Sequence, residues 1–134
     1  MLHSLSPDAR WCGPSAVSIL TGEPYSQVMP SFRRMQQIDD VEGVWPEETQ
    51  LALLERGYQA KPIELPRLMR LRTFLAGRTP EQVVTPLLIW VHKHMLTAHY
   101  GFAADNWTKR PVPIAEFPKL NRLVYGAYLI RRIQ

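Results

Sequence analysis

The apolar run Leu87-Leu88-Ile89-Trp90-Val91 limits what this chain can become more than any other stretch. A partly β-branched block of this length reads as a strand covered by protein on both sides. It predicts strand from about Leu87 through Ala98. Tyr100-Gly101 then turns the chain, Phe102-Ala103-Ala104-Asp105 returns as the next strand, and Pro111 and Pro113 break the chain beyond Trp107. A last strand is expected from about Arg122 to Arg132, where Leu123, Tyr125, Tyr128 and Ile130 alternate imperfectly.

Before the Thr79-Pro80-Glu81 turn the periodicity is helical. Residues 1–10 read as a loop or short arm, and Ala16, Ile19 and Leu20 then share a helix face that stops at Gly22. A second helix starts near Pro24-Tyr25-Ser26, carries Val28, Met29, Phe32 and Met35, and should kink or split at Pro30. A loop spans Asp39 to Val44. The third helix has Pro46 at its first position, Glu47 and Glu48 in its first turn, Leu51 and Leu54 on one face and Gly57 as its stop. Tyr58 to Ile63 reads as a short strand that Pro62 places at an edge. A fourth helix is expected from Pro66 to about Ala76, with Leu68, Leu71 and Leu75 at core spacing. Helices first and antiparallel sheet second make an α+β domain. With 134 residues and 46% hydrophobic content, one domain over 1–134 is expected, with a helical half at about 10–77 and a sheet half at about 84–134.

The formal net charge is +4, but the basic residues are scattered and lack the aromatic interleaving that grips single strands, so they read as a solvated face. Nucleic acid is therefore not the expected partner. A single cysteine precludes an intrachain disulfide, and no basic-then-apolar leader or bilayer-length apolar run is present. The expectation is a cytoplasmic protein without a membrane partner.

That cysteine lies in Trp11-Cys12-Gly13-Pro14-Ser15-Ala16, at the predicted start of the first helix. Unpaired N–H groups and the helix dipole there favour a thiolate, as a catalytic nucleophile needs. A lone cysteine also packs well as a small hydrophobe. The context favours chemistry: Gly13 lets the backbone approach a ligand, Pro14 suits the first turn and Trp11 can wall a cleft.

A thiol nucleophile needs a base, oriented in turn by a carboxylate or amide. His3 lies in the arm, leaving His92, His94 and His99. If Tyr100-Gly101 is a two-residue turn, His94 lies opposite Trp107, and Asp105 sits one diagonal step away on the same face, roughly 5–8 Å between Cβ atoms. His99 sits at the turn, away from Asp105. His94 with Asp105 is the preferred pair. His92, on the same face as His94, is the reserve base. A zinc site of Cys12, His92 and His94 is the less favoured alternative, because no recognised ligand spacing accompanies it.

Together these residues resemble the small papain-like cysteine peptidases, including bacteriocin-leader-processing and compact phage-encoded types. Cys12-Gly13-Pro14-Ser15-Ala16, His94, Gly101 and Asp105-Asn106-Trp107 carry the resemblance. Leu20-Thr21-Gly22-Glu23-Pro24-Tyr25 is similar to the family's exit from its first helix, and Leu53-Leu54-Glu55-Arg56-Gly57-Tyr58 to a later helix-to-strand step. The resemblance implies a papain-like fold with a cleft between the helical half and the sheet. It also implies acyl transfer through a thioester, with Cys12 attacking, His94 moving the proton and Asp105 orienting the ring. No metal or organic cofactor is implied, and the implied partner is a peptide or protein substrate. One departure stands out. The family often has Gln or Asn shortly before the cysteine to hold the oxyanion, whereas this chain has Ser4-Leu5-Ser6-Pro7-Asp8-Ala9-Arg10, leaving the Cys12 N–H and Ser6 as donors. That departure suits the alternative of an inactive papain-like binding module, a phage or mobile-element accessory protein.

Overall fold

A computed structural model describes every residue except Asp40, Glu42 and Gln134. The predicted loop at Asp39 to Val44 therefore lies partly outside the described residues. Helix α1 (Cys12–Thr21) is buried from Gly13 through Leu20 and ends where Gly22, at φ 81°, caps it with its N–H on the Ser18 carbonyl. Only glycine adopts that conformation without cost. Helix α2 (Tyr25–Gln36) buries Val28, Met29 and Phe32. It runs through Pro30 in one piece, against expectation. Pro30 and Ser26 are both exposed, so the carbonyl that loses its helical partner can be solvated.

Helix α3 (Pro46–Glu55) begins and ends as predicted but turns a different face inward. Thr49, Ala52 and Leu53 are buried, whereas Leu51 and Leu54 are about half exposed. The reason is close packing on α1, where small side chains fit. A Cβ on Gly13 would lie 1.8 Å from Val44 Cγ2 and 3.2 Å from Thr49 Oγ1. Gly13 thus admits a neighbouring segment, not a ligand as its sequence context suggested.

Tyr58–Pro62 (β1) is the predicted edge strand, paired antiparallel with the C-terminal strand β7 (Leu123–Arg132). The expected helix from Pro66 shrinks to α4 (Leu71–Ala76), and Leu68 is exposed. Met69–Arg70 (β2) instead pairs with Val124 and Leu123, and the N–H groups of Leu71 and Arg72 bond the carbonyls of Arg122 and Leu120. Tertiary hydrogen bonds have overridden local propensity. The turn expected at Thr79-Pro80-Glu81 is the start of a short helix, α5 (Pro80–Val84), in which Thr79 Oγ1 accepts from the Gln82 N–H. Thr-x-x-Gln is a capping-box signature.

The long strand predicted from Leu87 to Ala98 is a hairpin. β3 (Leu87–Val91) and β4 (His94–His99) reverse at His92-Lys93, where Lys93 adopts φ 57°. No Gly or Asn announces that turn. The next turn falls as predicted at Tyr100-Gly101, with His99 facing Phe102 at the start of β5 (Phe102–Ala104). β6 (Val112–Pro113) and a 3-10 turn (Ile114–Glu116) come next.

The sheet order is β1-β7-β3-β4-β5-β6, with β2 also on β7. β3 is therefore central, which accounts for its unbroken apolar sequence. Leu88, Met95, Ala104 and Ile130 face a core shared with α1, α2 and α3. Leu87, Ile89, Leu96, Ala98 and Leu129 face a second core with Phe74, Phe117 and Leu120. The architecture is mixed α+β, helices followed by antiparallel sheet, and the half at 10–77 supplies β2 as well as the predicted β1. Residues 1–10 are not a free arm: Leu2, Leu5 and Ala9 are buried, and the N–H groups of His3 and Leu5 bond the carbonyls of Ile19 and Lys109. Among the described residues, no helix is long and apolar enough to cross a membrane.

The Gly13 contact is testable. Gly13→Ala should lower stability by about 1–3 kcal/mol in urea unfolding, whereas Gly101→Ala, whose Cβ meets nothing within 4 Å, should stay within about 0.5 kcal/mol of the parent.

Candidate active site

Cys12 is the first residue of α1, and the N-cap residue Trp11 contributes no side-chain cap. Its sulfur is therefore offered the free N–H groups of the helix start. Burial is the largest influence on the thiol and pushes its pKa up. Backbone N–H groups of Met95, Gly13 and Cys12 itself pull the other way, and the Asp105 charge adds to the rise. The helix start acts in the predicted direction, but burial outweighs it. The net shift is toward the neutral thiol, opposite to the thiolate that the sequence suggested.

His94 opens β4 and is 4% exposed. By strand parity it shares the side of Leu96 and Ala98, opposite to Met95, which packs toward α1. Because His94 is the strand's first residue, it stands at the sheet's rim, where the two sides meet, and both His94 and Met95 line one cavity with Cys12. That cavity measures about 480 Å³.

Asp105 follows β5 and is almost fully buried. Its Oδ1 accepts the N–H groups of Trp107 and Thr108, each at 2.9 Å, a turn that aspartate forms readily. Its Oδ2 lies 2.7 Å from His94 Nε2. Burial would raise this carboxyl. The hydrogen bond to His94, the Thr108 N–H and the charges of His94 and Lys119 outweigh it and hold the pKa at about 2. An ionised Asp105 fixes the proton on His94 Nε2 and leaves Nδ1 as the ring's free nitrogen.

Two further residues complete the arrangement. Trp107 stacks on His94, with ring centroids 4.7 Å apart and planes within 16°. Lys119, 7% exposed, places Nζ 3.5 Å from Asp105 Oδ2 and 2.9 Å from the centroid of Trp107. Burial pushes the Lys119 ammonium down, and Asp105 opposes that shift. No local signal in Phe117-Pro118-Lys119-Leu120 marks this lysine. Its position depends on the chain returning over Trp107.

The other histidines are elsewhere. His92 is an exposed turn residue whose Nδ1 lies 2.8 Å from Tyr125 Oη, so it does not share a strand face with His94, and its expected role as reserve base is not supported by the geometry. His99, at the far end of β4, holds the Val84 carbonyl at 2.9 Å. Among the described residues, no three His, Cys, Asp or Glu side chains converge as metal ligands, so the zinc alternative lacks a geometric basis. Ser6 is exposed, bonds Asp8 and does not line the cavity, so it is not an oxyanion donor. The side-chain amide at the cavity comes from Asn106, whose Nδ2 donates to the Arg10 carbonyl at 2.9 Å.

Comparison with protein-family models, curated proteins and solved structures finds no match.

These charges lead to two expected outcomes. Cys12 should react slowly with iodoacetamide at pH 7, with an inflection above the free-thiol value of about 8.5; an inflection below it would show that the thiolate is favoured after all. Asp105 has its pKa lowered on folding, so its stabilisation is complete above the ordinary carboxylate pKa near 4 and disappears as pH falls toward about 2. About 2 kcal/mol should be lost across that window in acid titration of urea stability. Lys119→Met should narrow the window from its acid side.

Proposed function

We propose that the chain is a cysteine hydrolase or acyl transferase of papain-like fold acting on a peptide or isopeptide bond. One observation carries this reading: Cys12, at a helix start, and His94, whose far nitrogen is held by the buried Asp105, line the same cavity. The resemblance of Cys12-Gly13-Pro14-Ser15-Ala16 and Asp105-Asn106-Trp107 to the papain-like peptidases supports it.

In this mechanism the thiol rests neutral. His94 Nδ1 takes the Cys12 proton as the sulfur attacks the substrate carbonyl carbon, forming a C–S bond and a tetrahedral oxyanion. N–H groups at the start of α1 face the charge that develops there. Asp105 stabilises the imidazolium. Collapse breaks the C–N bond, the leaving amine takes the proton from His94, and a thioester remains on Cys12. Water then attacks that thioester, giving its proton to His94, and the acid leaves as the thiol is restored. An amine in place of water would give transfer.

A second reading, a papain-like binding module without turnover, is favoured by the upward shift of the thiol and by the absence of an upstream amide. Turnover separates the two. A pooled library of fluorogenic peptides should be hydrolysed by the parent. Cys12→Ala should reduce the rate to background and His94→Ala by at least about a hundredfold, with circular dichroism confirming that both are folded. Hydrolysis retained in either variant would remove the enzymatic assignment, and its absence in the parent would leave the binding module.

A further inference from the structure

All four tryptophans of the chain line the cavity that holds Cys12 and His94. Trp45 and Trp107 are exposed, at 66% and 56%, while Trp11 and Trp90 are half-buried. Tyr125 joins them, edge to face with Trp90 at 5.7 Å between centroids. Four tryptophans come from four separate parts of the fold: the cap of α1, the cap of α3, the central strand and the loop after β5. Trp107 packs on His94 and Lys119, but a packing role would not leave Trp45 two-thirds exposed at the cavity. Large rigid aromatic surface gathered at a concave site is suited to gripping an apolar side chain.

Among the described residues, the charged groups on the same wall have one sign. Arg10 and Lys93 are exposed cations on the cavity lining, and among the described residues that line it there is no carboxylate. Asp105 lies behind His94 with its oxygens already engaged. The rim therefore favours an anion.

We propose that the cleft recognises a peptide segment carrying a bulky aromatic side chain beside a carboxylate. The aromatic group lies among the tryptophans, and the carboxylate meets Arg10 and Lys93. The carboxylate is supplied either by an Asp or Glu side chain or by a free C-terminus. This specificity rests on the reading of Cys12 and His94 as a peptide-cleaving pair, but binding can be measured without cleavage.

The test uses Cys12→Ala, whose cleft keeps every group named above, and follows tryptophan fluorescence on titration with blocked hexapeptides. The set contains Phe-Glu, Phe-Gln and Ala-Glu at its centre, and a Phe-Gln peptide with a free C-terminal carboxylate after the glutamine. Phe-Glu should bind at least tenfold tighter than Phe-Gln or Ala-Glu, and the free-carboxylate peptide shows whether a C-terminus replaces the acidic side chain. Arg10→Gln with Lys93→Gln should erase the preference for Glu while leaving that for Phe. Trp45→Ala should do the reverse. Equal binding of Phe-Glu and Phe-Gln, a preference for a chito-oligosaccharide over every peptide, or no binding at all would overturn the proposal. Binding with the stated ranking but no hydrolysis by the parent would remove the peptidase reading and leave this one. Hydrolysis of Ala-Gln peptides as fast as Phe-Glu would do the opposite.

Discussion

Burial of α1 on nearly every side is the constraint on which the rest of the molecule depends. The helix lies between α2, α3 and the sheet, and from Gly13 to Leu20 it presents no exposed residue. An apolar helix can only be central, and a central helix holds its first residue at a defined height above the sheet. Small residues make the fit close: Gly13 meets Val44 with no room for a Cβ, and Ala16 and Ser15 are fully enclosed. Cys12 is thereby set at the rim of the sheet, not in its middle.

The same burial that positions the thiol also opposes its ionisation. Around Cys12 the N–H groups of the helix start and of Met95 favour a thiolate, but desolvation is the larger effect. At the same cavity His94 is fixed in place: Asp105 holds one ring nitrogen, and Trp107 covers one ring face. Lys119 adds a charge that competes with His94 for the same carboxylate oxygen. Asp105 thus balances two cations in a buried setting. Its two backbone hydrogen bonds and low pKa keep it ionised while it does so.

Much of the helical framework was legible because it rests on local chemistry. Gly22 at positive φ, Pro46 at a first helical position and the carboxylates next to it act within one turn of chain, so their signatures survive in sequence. The pairing of His94 with Asp105 was legible for a similar reason. It depends on a two-residue turn at Tyr100-Gly101 and on strand parity, both short-range. His92 was misplaced because the same parity was carried through a turn that no glycine or asparagine marks, where Lys93 itself adopts positive φ. The helix predicted from Pro66 starts only at Leu71, because Met69 and Arg70 pair instead with β7, more than fifty residues away.

By itself the sequence determined the first three helices, the edge strand β1, the helix start that carries Cys12, and the hairpin that brings His94 to Asp105. Each follows from backbone conformational limits and hydrophobic periodicity acting over a few residues. Only the tertiary structure decided which face of α3 is buried, that Lys119 reaches Asp105, that four tryptophans meet at one cavity, and that burial raises the Cys12 thiol. Those properties depend on desolvation and on distances between segments far apart in the chain, and neither quantity exists until the chain has folded.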